Sequence, residues 1–129
     1  MTIFELEGID HVAITVRDVA ASVNWYREVL GLERRHQEAW GDHPAVMGIG
    51  TTSLALFPVG TDSPQAPPGR GVLSMRHIAF RANAANFVLA RDALAVRGIA
   101  VQFQDHQIAQ SIYFEDPDGH QIEITTYEL

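Results

Sequence analysis

The chain has no cysteine among its 129 residues. That absence excludes a disulfide framework, a thiolate zinc site, an iron–sulfur cluster and a thiol nucleophile. Basic residues are also few. Lys plus Arg is 9 against 16 for Asp plus Glu, a net charge of −7, with no basic cluster. A surface of that sign is poorly matched to phosphate backbones or anionic lipid, so neither nucleic acid nor membrane is an expected partner. No apolar run approaches the roughly 18 residues that a membrane-crossing helix needs. The opening residues, Met1-Thr2-Ile3-Phe4-Glu5, lack the basic region and apolar run of a signal peptide. The expectation is a soluble, cytoplasmic protein. Hydrophobic residues at 47% and charged residues at 19% fit a chain that folds, and its length fits a single domain over 1–129.

What is present is a pattern that occurs twice. Ile9-Asp10-His11-Val12-Ala13-Ile14-Thr15-Val16 is rich in β-branched residues and reads as a buried strand. Residues 19–30 read as an amphipathic helix stopped by Gly31. Residues 32–40, 45–50 and 53–57 read as strands, the first the more exposed. Residues 59–71 hold Gly60, Pro64, Pro67, Pro68, Gly69 and Gly71 and read as a linker. Then a strand over 75–81, a helix over 84–97 stopped by Gly98, and strands over 99–103, 109–114 and 120–126 follow. Asp116-Pro117-Asp118-Gly119 is a turn between the last two.

The two halves align. His11-Val12-Ala13-Ile14 lies over His77-Ile78-Ala79-Phe80, and Leu54-Ala55-Leu56 over Ile122-Glu123-Ile124. Gly31 and Gly98 correspond one residue out of step. The reading is therefore an α+β fold of two βαβββ modules, 8–58 and 75–127, joined by a Pro/Gly-rich linker at 59–74. Each small sheet has one face covered by its helix. The other must bury against the second copy or another chain.

Of six histidines (His11, His36, His43, His77, His106 and His120), only His11 and His77 occupy equivalent places in the repeat. Glu123, flanked by isoleucines, must point to the face opposite theirs. Two histidines and one carboxylate on one surface form the set favoured by non-heme Fe(II) and tolerated by Mn(II) or Zn(II). Such a set leaves adjacent open positions for a substrate with two neighbouring oxygens. The alternative keeps the histidines as hydrogen-bonded core groups and Glu123 on a solvated face. Tyr113 precedes Glu123 by ten residues across the turn, so the two face the same side of a hairpin. A phenol there could donate a proton or hold a substrate oxygen, or simply pack. His106, in the loop before Tyr113, is a candidate base of near-neutral pKa, or a solvated loop residue.

Three segments carry a family resemblance: Asp10-His11-Val12-Ala13-Ile14-Thr15-Val16, Trp25-Tyr26-Arg27-Glu28-Val29-Leu30-Gly31-Leu32, and Tyr113 through Glu123. With them the chain resembles the vicinal oxygen chelate superfamily of glyoxalases, extradiol dioxygenases, fosfomycin-resistance enzymes and bleomycin-binding proteins. The resemblance implies paired βαβββ modules forming a cupped mixed sheet with helices on its outer face. It implies a divalent metal at the floor, Fe(II) or Mn(II) favoured over Zn(II) or Ni(II), held by His11, His77 and Glu123. It also implies a small-molecule substrate and a homodimer. Ala55 stands where glyoxalase I carries its fourth ligand, which disfavours that reaction. Fosfomycin-resistance enzymes have a threonine where this chain has Ala13, and a lysine near the place of Phe103. Extradiol dioxygenases share the His, His, Glu and Tyr set. The first expectation is a small extradiol-type dioxygenase with Tyr113 and His106 as catalytic groups. The alternatives are a non-catalytic antibiotic- or metabolite-binding protein, a fosfomycin-resistance-like transferase and a glyoxalase-like lyase.

Overall fold

The computed structural model of the chain describes residues 2–42 and 44–129. Met1 and His43 lie outside them, His43 being a position in which the sequence carries no signal. The chain divides into two compact units, residues 1–64 and 65–129. Among the described residues no helix is long and apolar enough to cross a membrane.

The first unit begins with β1 (His11–Val16) and α1 (Val19–Leu30). Two local devices set the limits of α1. Asp18, in an extended conformation, accepts the Ala21 N–H at 3.0 Å. Gly31 takes φ 72°, and its N–H reaches back to the Arg27 carbonyl while that of Leu32 reaches Tyr26. β2 (Glu33–Arg35), α2 (Gln37–Trp40), β3 (Ala45–Ile49) and β4 (Thr52–Pro58) follow. The four strands run in the order β1-β4-β3-β2. β1 and β4 are parallel and the other pairs antiparallel. The crossover through α1 permits the parallel pair; a two-residue turn joins β3 to β4, and the segment carrying α2 joins β2 to β3. α1 covers one face, burying Val16, Val23, Tyr26, Met47, Leu54 and Leu56. Each such side chain stabilises the fold by roughly 1.5–3 kcal/mol.

The strand expected over 32–40 is a correction. Only Glu33–Arg35 is extended, and Gln37–Trp40 forms a single helical turn. The cause is local. His36 sits at φ 59°, its ring lies 4.9 Å from that of Trp40, and Arg34 donates to the Gly41 carbonyl and to Asp42.

The second unit repeats the plan with β5 (Ile78–Arg81), α3 (Ala84–Val96), β6 (Gln102–Asp105), β7 (Gln110–Glu115) and β8 (Gln121–Thr126), in the order β5-β8-β7-β6. Asn83 caps α3 by accepting the Asn86 N–H at 2.8 Å. α3 buries Phe87 and Leu94, and the sheet buries Ile112, Phe114, Ile122 and Ile124. Two expected strands start late here. β5 opens at Ile78 rather than at residue 75. Residues 99–101 stay outside β6 because the Ile99 N–H is taken by the Leu94 carbonyl at the end of α3.

The registers of the two units coincide. Ala13 faces Ala55 as Ala79 faces Glu123, and Val46 faces Ala55 as Tyr113 faces Glu123. Ala55 and Glu123 are therefore equivalent positions, and His11 and His77 each lie two residues before an equivalent alanine. In each unit these residues alternate onto the face opposite the helix.

Candidate functional site

In the second unit that face carries a connected polar set. Glu123 is only 7% exposed. Its Oε1 lies 2.9 Å from His77 Nε2, and its Oε2 accepts the Ser111 hydroxyl at 2.7 Å. Ser111 also lies 3.0 Å from the Thr125 hydroxyl, which in turn donates to the Gln110 carbonyl. A buried carboxylate is costly unless its oxygens are satisfied, and here each has a named partner.

Tyr113 stands directly across from Glu123 on β7. Its hydroxyl is 3.0 Å from His106 Nε2, and its ring meets that of His77 edge-on at 5.7 Å. Burial raises the Tyr113 pKa above its ordinary value, and the charge and hydrogen bonding of Glu123 push it the same way. Hydrogen bonding to Ser111 and the positive charge of Arg76 oppose them. The phenol therefore stays protonated at neutral pH and can donate. The His106 N–H bonds to the Ala109 carbonyl at 2.8 Å, which closes the loop that presents its ring.

The turn after β7 fixes this register. Asp116 Oδ1 accepts the N–H groups of Asp118 and His120, both at 2.9 Å. The Gly119 N–H donates to the Asp116 carbonyl at 3.1 Å. A groove of about 400 Å³ opens beside Tyr113, lined by Gln102, Glu115, Gln121 and residues 99–101. That is the size of a small-molecule pocket.

In the first unit, His11 Nδ1 lies 2.8 Å from Asp10 Oδ2, and its side chain is half exposed. Its Nε2 is thereby the nitrogen left for a ligand. Ala55, buried, offers no donor where the other unit has Glu123.

The structure thus joins His77, Glu123, Tyr113 and His106 within one unit, and sets His11 at the equivalent place in the other. Among the described residues no three His, Asp or Glu side chains form a cluster by themselves. The donor chemistry nevertheless suits a divalent ion. In a metal site the outer atom of each ligand is held by a hydrogen-bond partner, as Asp10 holds His11 and Ser111 holds Glu123. The sequence alone assigns no role to Ser111, Thr125 or Asp10. A signal existed for Ser111: it lies two residues before Tyr113 in a strand and so shares its face.

Comparison with known proteins adds a lineage to this geometry. The chain is 28% identical to the metallothiol transferase FosB of Staphylococcus epidermidis, over 96% of this chain and 86% of that protein. It is 26% identical to the catechol-2,3-dioxygenase of Bacillus subtilis, over 95% of this chain but only 42% of that protein. Its fold matches the crystal structure of a glyoxalase/dioxygenase from Nostoc punctiforme with a TM-score of 0.82 and 25% identity, covering 98% of this chain and 94% of that one. The family model of the Glyoxalase/Bleomycin resistance protein/Dioxygenase superfamily matches residues 8–124. With paired βαβββ modules and a profile match over nearly its whole length, the chain belongs to that superfamily.

Proposed function

We propose that the protein is a metal-dependent enzyme whose substrate chelates the ion through two neighbouring oxygens, and that its chemistry is oxygenative cleavage of a small vicinal diol. The observation that carries this reading is the Tyr113–His106 pair. A protonated phenol and an imidazole nitrogen stand 3.0 Å apart beside His77 and Glu123. His11, His77 and Glu123 would hold Fe(II) or Mn(II). An ion held there would supply Lewis acidity and a route for electrons between substrate and dioxygen.

The chain's own groups handle orientation and protons. Ser111 holds Glu123 Oε2 and so directs Oε1 toward His77. A substrate hydroxyl arriving at the Tyr113 oxygen can pass its proton to the phenol while the phenol proton moves to His106 Nε2. His106 returns it as the product leaves. Overall, one diol and one dioxygen give one ring-opened product, with one carbon–carbon bond broken and both oxygen atoms retained.

A fosfomycin-resistance-like transferase is the second reading, supported by the 86% of FosB that this chain spans, against 42% of the dioxygenase. Against it, all nine basic residues are arginine, so the chain has no lysine. The Phe103 ring, near the place of the family's lysine, lies under Arg91 of α3 instead of facing the polar set.

The test uses protein purified without chelator or nickel resin and loaded anaerobically with Fe(II). Catechols and oxygen are added, and oxygen uptake and the absorbance of ring-opened product are followed. Parallel samples receive Mn(II), fosfomycin and thiols and are read by phosphorus NMR. Oxygen-dependent ring opening that disappears in His77→Ala is the expected result. A thiol adduct without ring opening would move the protein to the second reading. Failure to take up any metal would make it a binding protein.

A further inference from the structure

Arg35 and Val46 are cross-strand partners, so Arg35 shares a face with Val46, Gly48, Ser53 and Ala55, opposite α1. Its guanidinium lies across Gly48, where an added Cβ would stand 2.5 Å from Arg35 Cζ. It reaches Ser53 Oγ at 3.4 Å. Ser53 is the β4 partner of His11 on β1. The guanidinium thus lies over β3, two strand spacings, ~10 Å, from the strand that carries His11 and on the same face of the sheet.

This cation is not used as an ordinary structural arginine. Arg34, on the helix side, is tied to Asp42 and the Gly41 carbonyl. Among the described residues Arg35 has no carboxylate in ion-pair range, although the chain carries 16 acidic residues. One long contact to a hydroxyl leaves most of its five N–H donors available. The repeat makes the placement specific to one unit: Gln102 occupies the position equivalent to Arg35, and Glu115 that of Gly48. A strongly acidic molecule repels anions, so admitting one takes a dedicated cation.

We propose that Arg35 is a specificity-determining residue that binds a carboxylate on the substrate, so that the preferred substrate is an anionic diol rather than a neutral one. This rests on the two-oxygen chelation reading above. The guanidinium fork matches a carboxylate bidentately, and Gly48 is the flat floor that lets it lie there.

The test compares 3,4-dihydroxybenzoate with 4-methylcatechol, its neutral counterpart, by calorimetric titration of the Mn(II)-loaded protein. Wild type should prefer the carboxylate by about 10- to 100-fold. Arg35→Gln should erase that preference while leaving the affinity for 4-methylcatechol unchanged, and Arg35→Lys should recover part of it. Gly48→Ala, which displaces the guanidinium without removing its charge, should weaken it. A preference that survives Arg35→Gln overturns the proposal. A second arm needs no metal: benzoate is titrated into metal-free protein while the Arg35 Nε–H signal is followed by NMR. If neither diol binds but that signal shifts saturably, the chelation reading fails and the anion site stands. A signal that benzoate does not move overturns the site.

Discussion

Tyr113 is a titratable group whose surroundings hold its pKa above the ordinary value. Burial and then Glu123 raise its pKa, so neutralising Glu123 should bring it back toward the ordinary tyrosine value. In metal-free protein, NMR titration of the tyrosine ring carbons should show Tyr113 titrating lower in Glu123→Gln than in wild type. The same shift bears on stability. A group whose folded pKa is raised contributes stability that is present below the unfolded value of about 10 and is lost as pH climbs through the folded value. Urea midpoints of wild type should therefore fall more steeply above about pH 10 than those of Tyr113→Phe. Equal slopes would mean that the phenol is not held in its neutral form.

Among the elements, α1 shows how far local chemistry carries. Its span of residues 19–30 is legible in the sequence because both ends are set by adjacent residues, Asp18 and Gly31. Asp18→Ala should cost about 1 kcal/mol in chemical denaturation through loss of the cap. Gly60→Ala, with open space at its Cβ, should change stability by less than about 0.5 kcal/mol. Strand limits are harder to read, because a strand exists only where a partner lies beside it. Ile99 is spent on closing α3, and His36 turns the chain before Trp40. Both effects follow from backbone geometry that periodicity does not encode. The site divides along the same line. The repeat singles out His11, His77 and Glu123 and the hairpin spacing Tyr113, while His106 is legible only as a loop residue just before the Tyr113 strand. Arg35 and Ser111 are not legible, since a charge or hydroxyl in a strand stands out only once its neighbours are known.

For the whole molecule, the shared register makes the two units equal in frame and unequal in donors. His11 is paired with Asp10 but has Ala55 at the β4 position where the other unit places Glu123 beside His77. The proposed three-donor set then gives one ion per chain rather than one per unit. Binding to the folded state alone should raise stability by about 2.7 kcal/mol at a hundredfold excess of free ion over its Kd. Melting temperature should rise with Fe(II) or Mn(II) and fall back with chelator, and His77→Ala should remove the response. Elemental analysis giving two ions per chain would contradict this count. The turn at Asp116–Gly119 has a further consequence, for how the protein ages. Asp followed by Gly is prone to cyclise and rearrange to an isoaspartyl link, since an unhindered glycine nitrogen can attack the aspartyl carboxyl. In the folded chain the Gly119 nitrogen is occupied in its bond to the Asp116 carbonyl. The hairpin that keeps Tyr113 opposite Glu123 thus also protects its own backbone from chemical decay, and rearrangement at Asp118 becomes a record of time spent unfolded.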